Sequence, residues 1–341
     1  MVNNLPASEA ASIATTAAPP RAAHPYLGFA LRVSLGIAIV GFLLWHYDAR
    51  PALRTLAREN WWCFGATVAI YVAGQLMSAY RWQLLAAALN LRGPLSEFIR
   101  YYFIGVFTNL FVPGLVGGDA ARAFYLGRRH GRMGEAIASA LADRAYGLMG
   151  LFWLAALIAL TMNRGTLPPN VINPIVAVGA LAFAGYLASP LIARMLPLMP
   201  RPIHRALGII APYLHRPVTV LPAIALSVIL QASLAVCQYV LALGLGLHLP
   251  LGIFLLIVPV SGVLASLPLT LNGLGLRETA YLFLFGMAGV SRDDAIALGL
   301  LLFAAMMVGG MFGAIAFVTT KVPLPPGHVK DLAEGSSLLD A

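Results

Sequence analysis

The sequence predicts an all-α polytopic membrane protein with about six full transmembrane helices and two re-entrant, broken-helix hairpins. Three observations predict it. The chain is 60% hydrophobic and 10% charged over 341 residues, whereas soluble globular chains carry roughly a quarter charged residues. Its apolar residues fall in runs of about 20, the length a helix needs to cross a hydrocarbon core of roughly 30 Å. Two further apolar runs are interrupted by Pro/Gly clusters, and such breaks survive at membrane depth only where protein or a polar cavity supplies partners for the freed backbone groups.

Taken in chain order, residues 1–26 are rich in Ala, Pro, Ser and Thr and read as a disordered tail. The run 27–45 is too long for a signal-peptide core and lacks a small-x-small exit, so it reads as the first span. Arg32 near its start can snorkel to the interface. The runs 61–80, 137–160, 171–191, 218–247 and 295–318 read as five more spans. Trp45, Trp61, Trp62, Trp82, Tyr101 and Tyr102 lie near span ends, where interfacial aromatics collect. Residues 27–320 thus form one transmembrane domain, and 321–341 a short cytoplasmic tail.

The first broken stretch runs 98–112, meets Pro113-Gly114-Leu115-Val116-Gly117-Gly118-Asp119, and resumes over 120–126. The second runs 253–267, meets Pro268-Leu269-Thr270-Leu271-Asn272-Gly273-Leu274-Gly275, and resumes over 279–288. Charge counting places them. With both stretches re-entrant and the N-terminus inside, fourteen Arg and Lys lie in inner loops, Arg81 and Arg92 among them, against five outside. That obeys the positive-inside rule and puts both termini in the cytoplasm of a cell inner membrane. The outer Arg50, Arg54 and Arg58 share one helical face, as on a surface helix. The first stretch then enters from the inside and the second from the outside. Each has Pro five residues before Gly, at Pro113/Gly118 and Pro268/Gly273, a spacing consistent with an inverted repeat.

The net charge of +9 follows from basic inner loops and does not require nucleic acid. Arg128, Arg129 and Arg132 also suit anionic lipid head groups. Cys63 and Cys237 lie in apolar runs, and no metal-binding spacing of Cys or His occurs, so neither a metal nor another cofactor is expected.

The residues able to carry chemistry sit at the breaks. Gly117 and Gly118 allow close backbone approach, and the resumed helix presents free N–H groups that favour a phosphate. Asp119 can cap this helix or belong to a site, and Arg122 faces the same way one turn later. Asp143 and Arg144 lie within the 137–160 span. Adjacent residues point about 100° apart on a helix, so Asp143 is expected to reach Arg122 or another arginine and Arg144 a carboxylate or lipid phosphate. A purely structural interhelical salt bridge is the alternative. At the second break, Gly273, Gly275, Arg277 and Glu278 open the resumed helix. Glu278 reads as a cap or a membrane-embedded proton-binding carboxylate. Asn109 and Asn272 can satisfy freed backbone groups.

The pattern Asn109-x-x-x-Pro113-Gly114-x-x-Gly117-Gly118-Asp119-x-x-Arg122, then Asp143-Arg144, then Gly273-x-Gly275-x-Arg277-Glu278 resembles the lysylphosphatidylglycerol synthase transmembrane (flippase-like) family. The resemblance implies an integral membrane domain acting on lipids, with Asn109, Asp119, Arg122, Asp143, Arg144 and Glu278 at the family's polar positions. In fused relatives this domain moves aminoacylated phosphatidylglycerol between leaflets. Standalone relatives are linked to isoprenoid-phosphate sugars, hopanoids or other envelope lipids. The expected function is therefore translocation or binding of an anionic or phosphate-bearing lipid, with membrane lipids as partners. The alternative is a non-transporting membrane partner of an envelope-lipid or hopanoid biosynthetic enzyme. No Walker loop occurs, which leaves a lipid gradient, a proton or the membrane potential as the energy source. A transferase is disfavoured, because 321–341 is too short for the soluble synthase domain and no nucleophile–base pair has recognisable spacing.

Overall fold

A computed structural model describes residues 57, 59–111, 116–162, 168–198, 200, 208–215, 217–265 and 276–320, all within the compact unit Leu43–Ala341. The expected tail 1–26, first span 27–45, the three arginines of the expected surface helix (Arg50, Arg54 and Arg58) and tail 321–341 lie outside the described residues, as do 112–115 and 266–275. Among the described residues there are ten α-helices and no strand. They are α1 Trp61–Ala88, α2 Leu95–Phe111, α3 Val116–His130, α4 Met133–Met162, α5 Pro169–Met195, α6 Ala211–His215, α7 Pro217–Gly244, α8 Leu251–Ala265, α9 Leu276–Met287 and α10 Arg292–Thr319. Five of them (α1, α4, α5, α7 and α10) are long and apolar enough to cross a membrane. The chain is an all-α polytopic membrane protein.

The short helices explain the broken stretches. α2 and α3 have 17 and 15 residues, α8 and α9 have 15 and 12, each short of the roughly 20 needed to span. α2 and α3 pack antiparallel. Glu97 pairs with Arg129 at 2.9 Å, and the Tyr101 and Tyr125 rings lie 5.4 Å apart. Near the tip a Cβ on Gly105 would stand 2.7 Å from the Gly118 carbonyl oxygen, and one on Gly118 would collide with the Gly105 carbonyl and Asn109. Only glycine permits this approach of two backbones. α8 and α9 likewise pack together, with Phe254 and Phe285 ring centroids 5.3 Å apart.

The element order repeats: long helix, short hairpin, long helix in α1–α4, and again in α7–α10. The two copies are inverted. α1 and α7 run antiparallel along their length, from Asn60 N–H on the Gly244 carbonyl (3.2 Å) through Thr67 on the Cys237 carbonyl (3.4 Å) to Arg81 on Ser227 (2.8 Å). Each hairpin packs its first helix on the last helix of the other copy, α2 on α10 and α8 on α4. Along the α2–α10 seam, a Cβ on Gly313 would meet the Phe103 carbonyl and Phe107. α10 is the most enclosed span, half buried, whereas α5 is 11% buried and peripheral.

Helix ends were harder to read than helix identities. α1 continues two turns past Tyr80, so Arg81 is 6% exposed inside the helix bundle and does not belong to an inner loop. Trp82 is fully buried, not interfacial. Its indole N–H donates to Ser139 Oγ at 3.1 Å. Trp61 and Trp62, 69% and 88% exposed, do sit where an aromatic belt would. Among the described residues, charge divides between the two ends of the bundle. The hairpin-1 end carries Arg92, Arg100, Arg128, Arg129, Arg132 and Arg194 against Glu97 and Glu135, the other end Arg292 against Glu59, Asp293 and Asp294.

Candidate functional site

The hairpins converge on a cavity of about 360 Å³ between the two copies, lined from eight helices and including Asn109, Asp119, Arg144, Arg277 and Tyr281. A second lobe of about 200 Å³ extends along α2 and shares Asn109, Asp119 and Arg122. Four arginines line the larger lobe (Arg81, Arg122, Arg144, Arg277) against the two carboxylates Asp119 and Asp143 among the described residues. Among the described lining residues arginines thus outnumber carboxylates by two.

These charges form an ordered chain. Asp143 Oδ1 accepts from Arg81 at 2.7 Å and its Oδ2 from Arg122 at 2.9 Å. Arg122 also donates to Asp119 at 2.8 Å, and the other Asp119 oxygen accepts from Arg144 Nε at 2.7 Å and from its Nη2. The sequence is Arg144–Asp119–Arg122–Asp143–Arg81, alternating in sign. Charges at this depth are costly to desolvate, and a buried ion pair is tolerated when the remaining polar atoms are also satisfied. Here Arg122 has two carboxylates plus the faces of Trp82 and Tyr102, at 4.9 and 4.7 Å.

Exposure separates scaffold from reactive end. Side chains of Asp143 and Arg122 are 2% and 4% exposed, those of Asp119 and Arg144 17% and 30%. Asp143 uses both oxygens on arginines and has little left for a ligand, so its role is to hold α1, α3 and α4 together. Arg144 and Asp119 are the part a ligand can reach. Arg277, from the second hairpin, reaches the same cavity and touches Met306 Sδ at 3.3 Å.

Other expected residues fall into three groups. Asn109 does satisfy a freed backbone group, accepting the Gly118 N–H at 2.7 Å. Of the two roles open to Asp119, helix cap or site residue, the geometry matches the second: α3 begins at Val116, and the carboxylate is taken by two arginines. Gly117 and Gly118 form the first turn of α3. Asn272, Gly273 and Gly275 lie outside the described residues, and the backbone of Glu278 lies in the first turn of α9. Sequence reasoning missed Arg81 as a site residue. The signal was present, because the apolar run continues beyond it to Ala88 and Asp143 at that depth requires a cation. Tyr102, which underlies Arg122 and lines both lobes, carried no comparable signal.

The arrangement suits a phosphate. An arginine fork matches two oxygens of one acid group, and Arg144 presents Nε and Nη2 together, both now on one Asp119 oxygen. Among the described residues no group of His, Cys, Asp and Glu could hold a metal ion. Neither the curated proteins nor the solved structures contain a match to this chain. The sequence profile described as "Lysylphosphatidylglycerol synthase TM region" matches residues 29–313. The chain belongs to that family of membrane, lipid-related proteins.

Proposed function

We propose that the protein binds the phosphate of an anionic envelope lipid in the central cavity and carries its head group between leaflets, with no enzymatic step. The observation that supports this reading is the excess of arginine over carboxylate in the described lining, with Arg144 at the more exposed end of the Arg–Asp chain and Arg277 from the other copy reaching the same cavity. A phosphate entering the cavity exchanges with Asp119 for the Arg144 fork. Asp119 keeps its bond to Arg122, so no charge is stranded. Inverted copies around a shared polar cavity provide the architecture for exposing that cavity alternately to each side, while acyl chains remain in lipid. The partners are lipids bearing a phosphate: a phospholipid, an isoprenoid phosphate or a phosphate-bearing hopanoid. By the positive-inside rule, the arginine-rich hairpin-1 end faces the cytoplasm of the inner membrane.

Native mass spectrometry of lipids that co-purify with the protein tests the reading. Wild type is expected to retain a phosphate-bearing lipid, and Arg144→Gln to retain about tenfold less, the worth of one charge-assisted hydrogen-bonded contact. Equal retention by folded Arg144→Gln would remove the central cavity from lipid binding.

A further inference from the structure

A second polar cavity, about 390 Å³, lies at the base of the first hairpin, away from the central site. Ser96, Arg100 and Tyr101 of α2, Arg129 of α3, and Thr319 and Thr320 at the end of α10 line it. Its one acidic group among the described residues, Glu97, is paired through Oε1, which accepts from Arg129 at 2.9 Å and from the Tyr101 hydroxyl at 2.8 Å. Arg100 is exposed and in no ion pair among the described residues, so the cavity keeps one positive charge. Thr320 Oγ1 is buried there without a hydrogen-bond partner among the described residues, a state a native fold usually avoids.

The surroundings identify an amphiphile. On α10, immediately before the cavity's two threonines, Phe317 and Val318 are 49% and 83% exposed. A cationic, hydroxyl-lined cavity thus opens beside a bare apolar helix face. Phosphate in the cavity and acyl chains along α10 match that division. The same end of the bundle carries an excess of arginine, which raises the local concentration of anionic lipid. The α2–α10 seam that roofs the cavity, with Phe107 and Phe317 ring centroids 6.0 Å apart, continues to Leu110 against Gly310, and Leu110 lines the central cavity's second lobe.

We propose that this cavity docks the phosphate of an anionic phospholipid from the adjacent leaflet, through Arg100 and the hydroxyls of Ser96 and Thr320. Docking here is independent of whether the central cavity transports. Basic residues near a membrane end ordinarily act as diffuse charge. A built site differs in requiring the arginine fork and its position.

The test is native mass spectrometry of the full chain titrated with phosphatidylglycerol, comparing wild type, Arg100→Gln, Arg100→Lys and Arg92→Gln. Arg92 is exposed at the same end but does not line the cavity. Arg100→Gln is expected to weaken the tightest binding about fivefold, the typical worth of one arginine at an anionic surface. Arg100→Lys should recover only part of it, because an ammonium lacks the fork, and Arg92→Gln should change little. Diffuse charge would instead give full recovery by lysine and equal losses at Arg92 and Arg100; either result overturns the proposal. Inorganic phosphate at equal concentration should not displace the lipid. Displacement would show a free-anion site and overturn the lipid assignment. Thermal melting of each variant separates lost binding from lost folding.

Discussion

In the first copy of the repeat, α1, α3 and α4 meet through charge: Arg81, Arg122 and Asp143, with Asp119 and Arg144 extending the chain into the cavity. In the second copy the corresponding α7, α9 and α10 meet through neutral groups. Gln238 Nε2 donates to the Tyr281 hydroxyl at 2.9 Å and to the Leu298 carbonyl at 3.3 Å. Both knots are almost sealed from water. One backbone plan, used twice in opposite orientation, therefore needs a polar tie between three helices but not an ionic one. The charge in the first copy exceeds what the fold requires, and it leads to the cavity. In the described lining the second copy's only charged residue is Arg277.

Substitutions can break this contrast, and the largest effect belongs to Asp143→Ala. It leaves Arg81, 6% exposed, without its carboxylate partner and takes one of the two carboxylates of Arg122, and leaving a buried charge unpaired costs about 3–5 kcal/mol. Melting in detergent should show a severe loss of stability or no folded protein. Asp119→Asn removes a more exposed carboxylate that is still tied to two arginines. It should cost about 1–3 kcal/mol, the range for a lost charged hydrogen bond, while altering lipid retention more than melting. Gln238→Leu, in the neutral knot, should cost about 1 kcal/mol and leave lipid retention unchanged. If Gln238→Leu abolished retention as Asp119→Asn does, the division between an ionic site and a neutral tie would fail.

The smallest effect lies at the far end of the α1–α7 pair. Glu59, just before α1, is 3% exposed, and neither carboxylate oxygen has a hydrogen-bond partner among the described residues. Burial pushes this carboxyl up from 4.5 to about 7. Between those two values the folded chain holds a proton that the unfolded chain has released. Stability from this group is therefore full below pH 4.5 and is lost as pH rises towards 7. Glu59→Gln should flatten the pH dependence of melting and raise the melting temperature at pH 8, with little change at pH 5.

Much of this architecture was legible because lipid imposes simple rules. Apolar length predicted the five described spans, and Pro/Gly breaks predicted the hairpins. The adjacency of Asp143 and Arg144 indicated that they serve different partners; in the structure Asp143 meets Arg81 and Arg122, and Arg144 meets Asp119. The limits were also physical. A hydropathy run stops at its first charge, so Arg81 was assigned to a loop although it continues α1. Trp82 looks interfacial in sequence because nothing local reveals that Arg122 and Ser139 enclose it. Gln238 and Tyr281 are neutral residues in apolar runs, and only the fold brings them together.

The central claim is most directly tested by phosphatidylglycerol translocation in proteoliposomes, comparing wild type, Arg144→Gln and Gln238→Leu at equal folded protein. The account predicts that wild type and Gln238→Leu move the lipid at similar rates, and that Arg144→Gln is slower by about tenfold, as for one lost charge-assisted contact. Translocation by Arg144→Gln at the wild-type rate would contradict it.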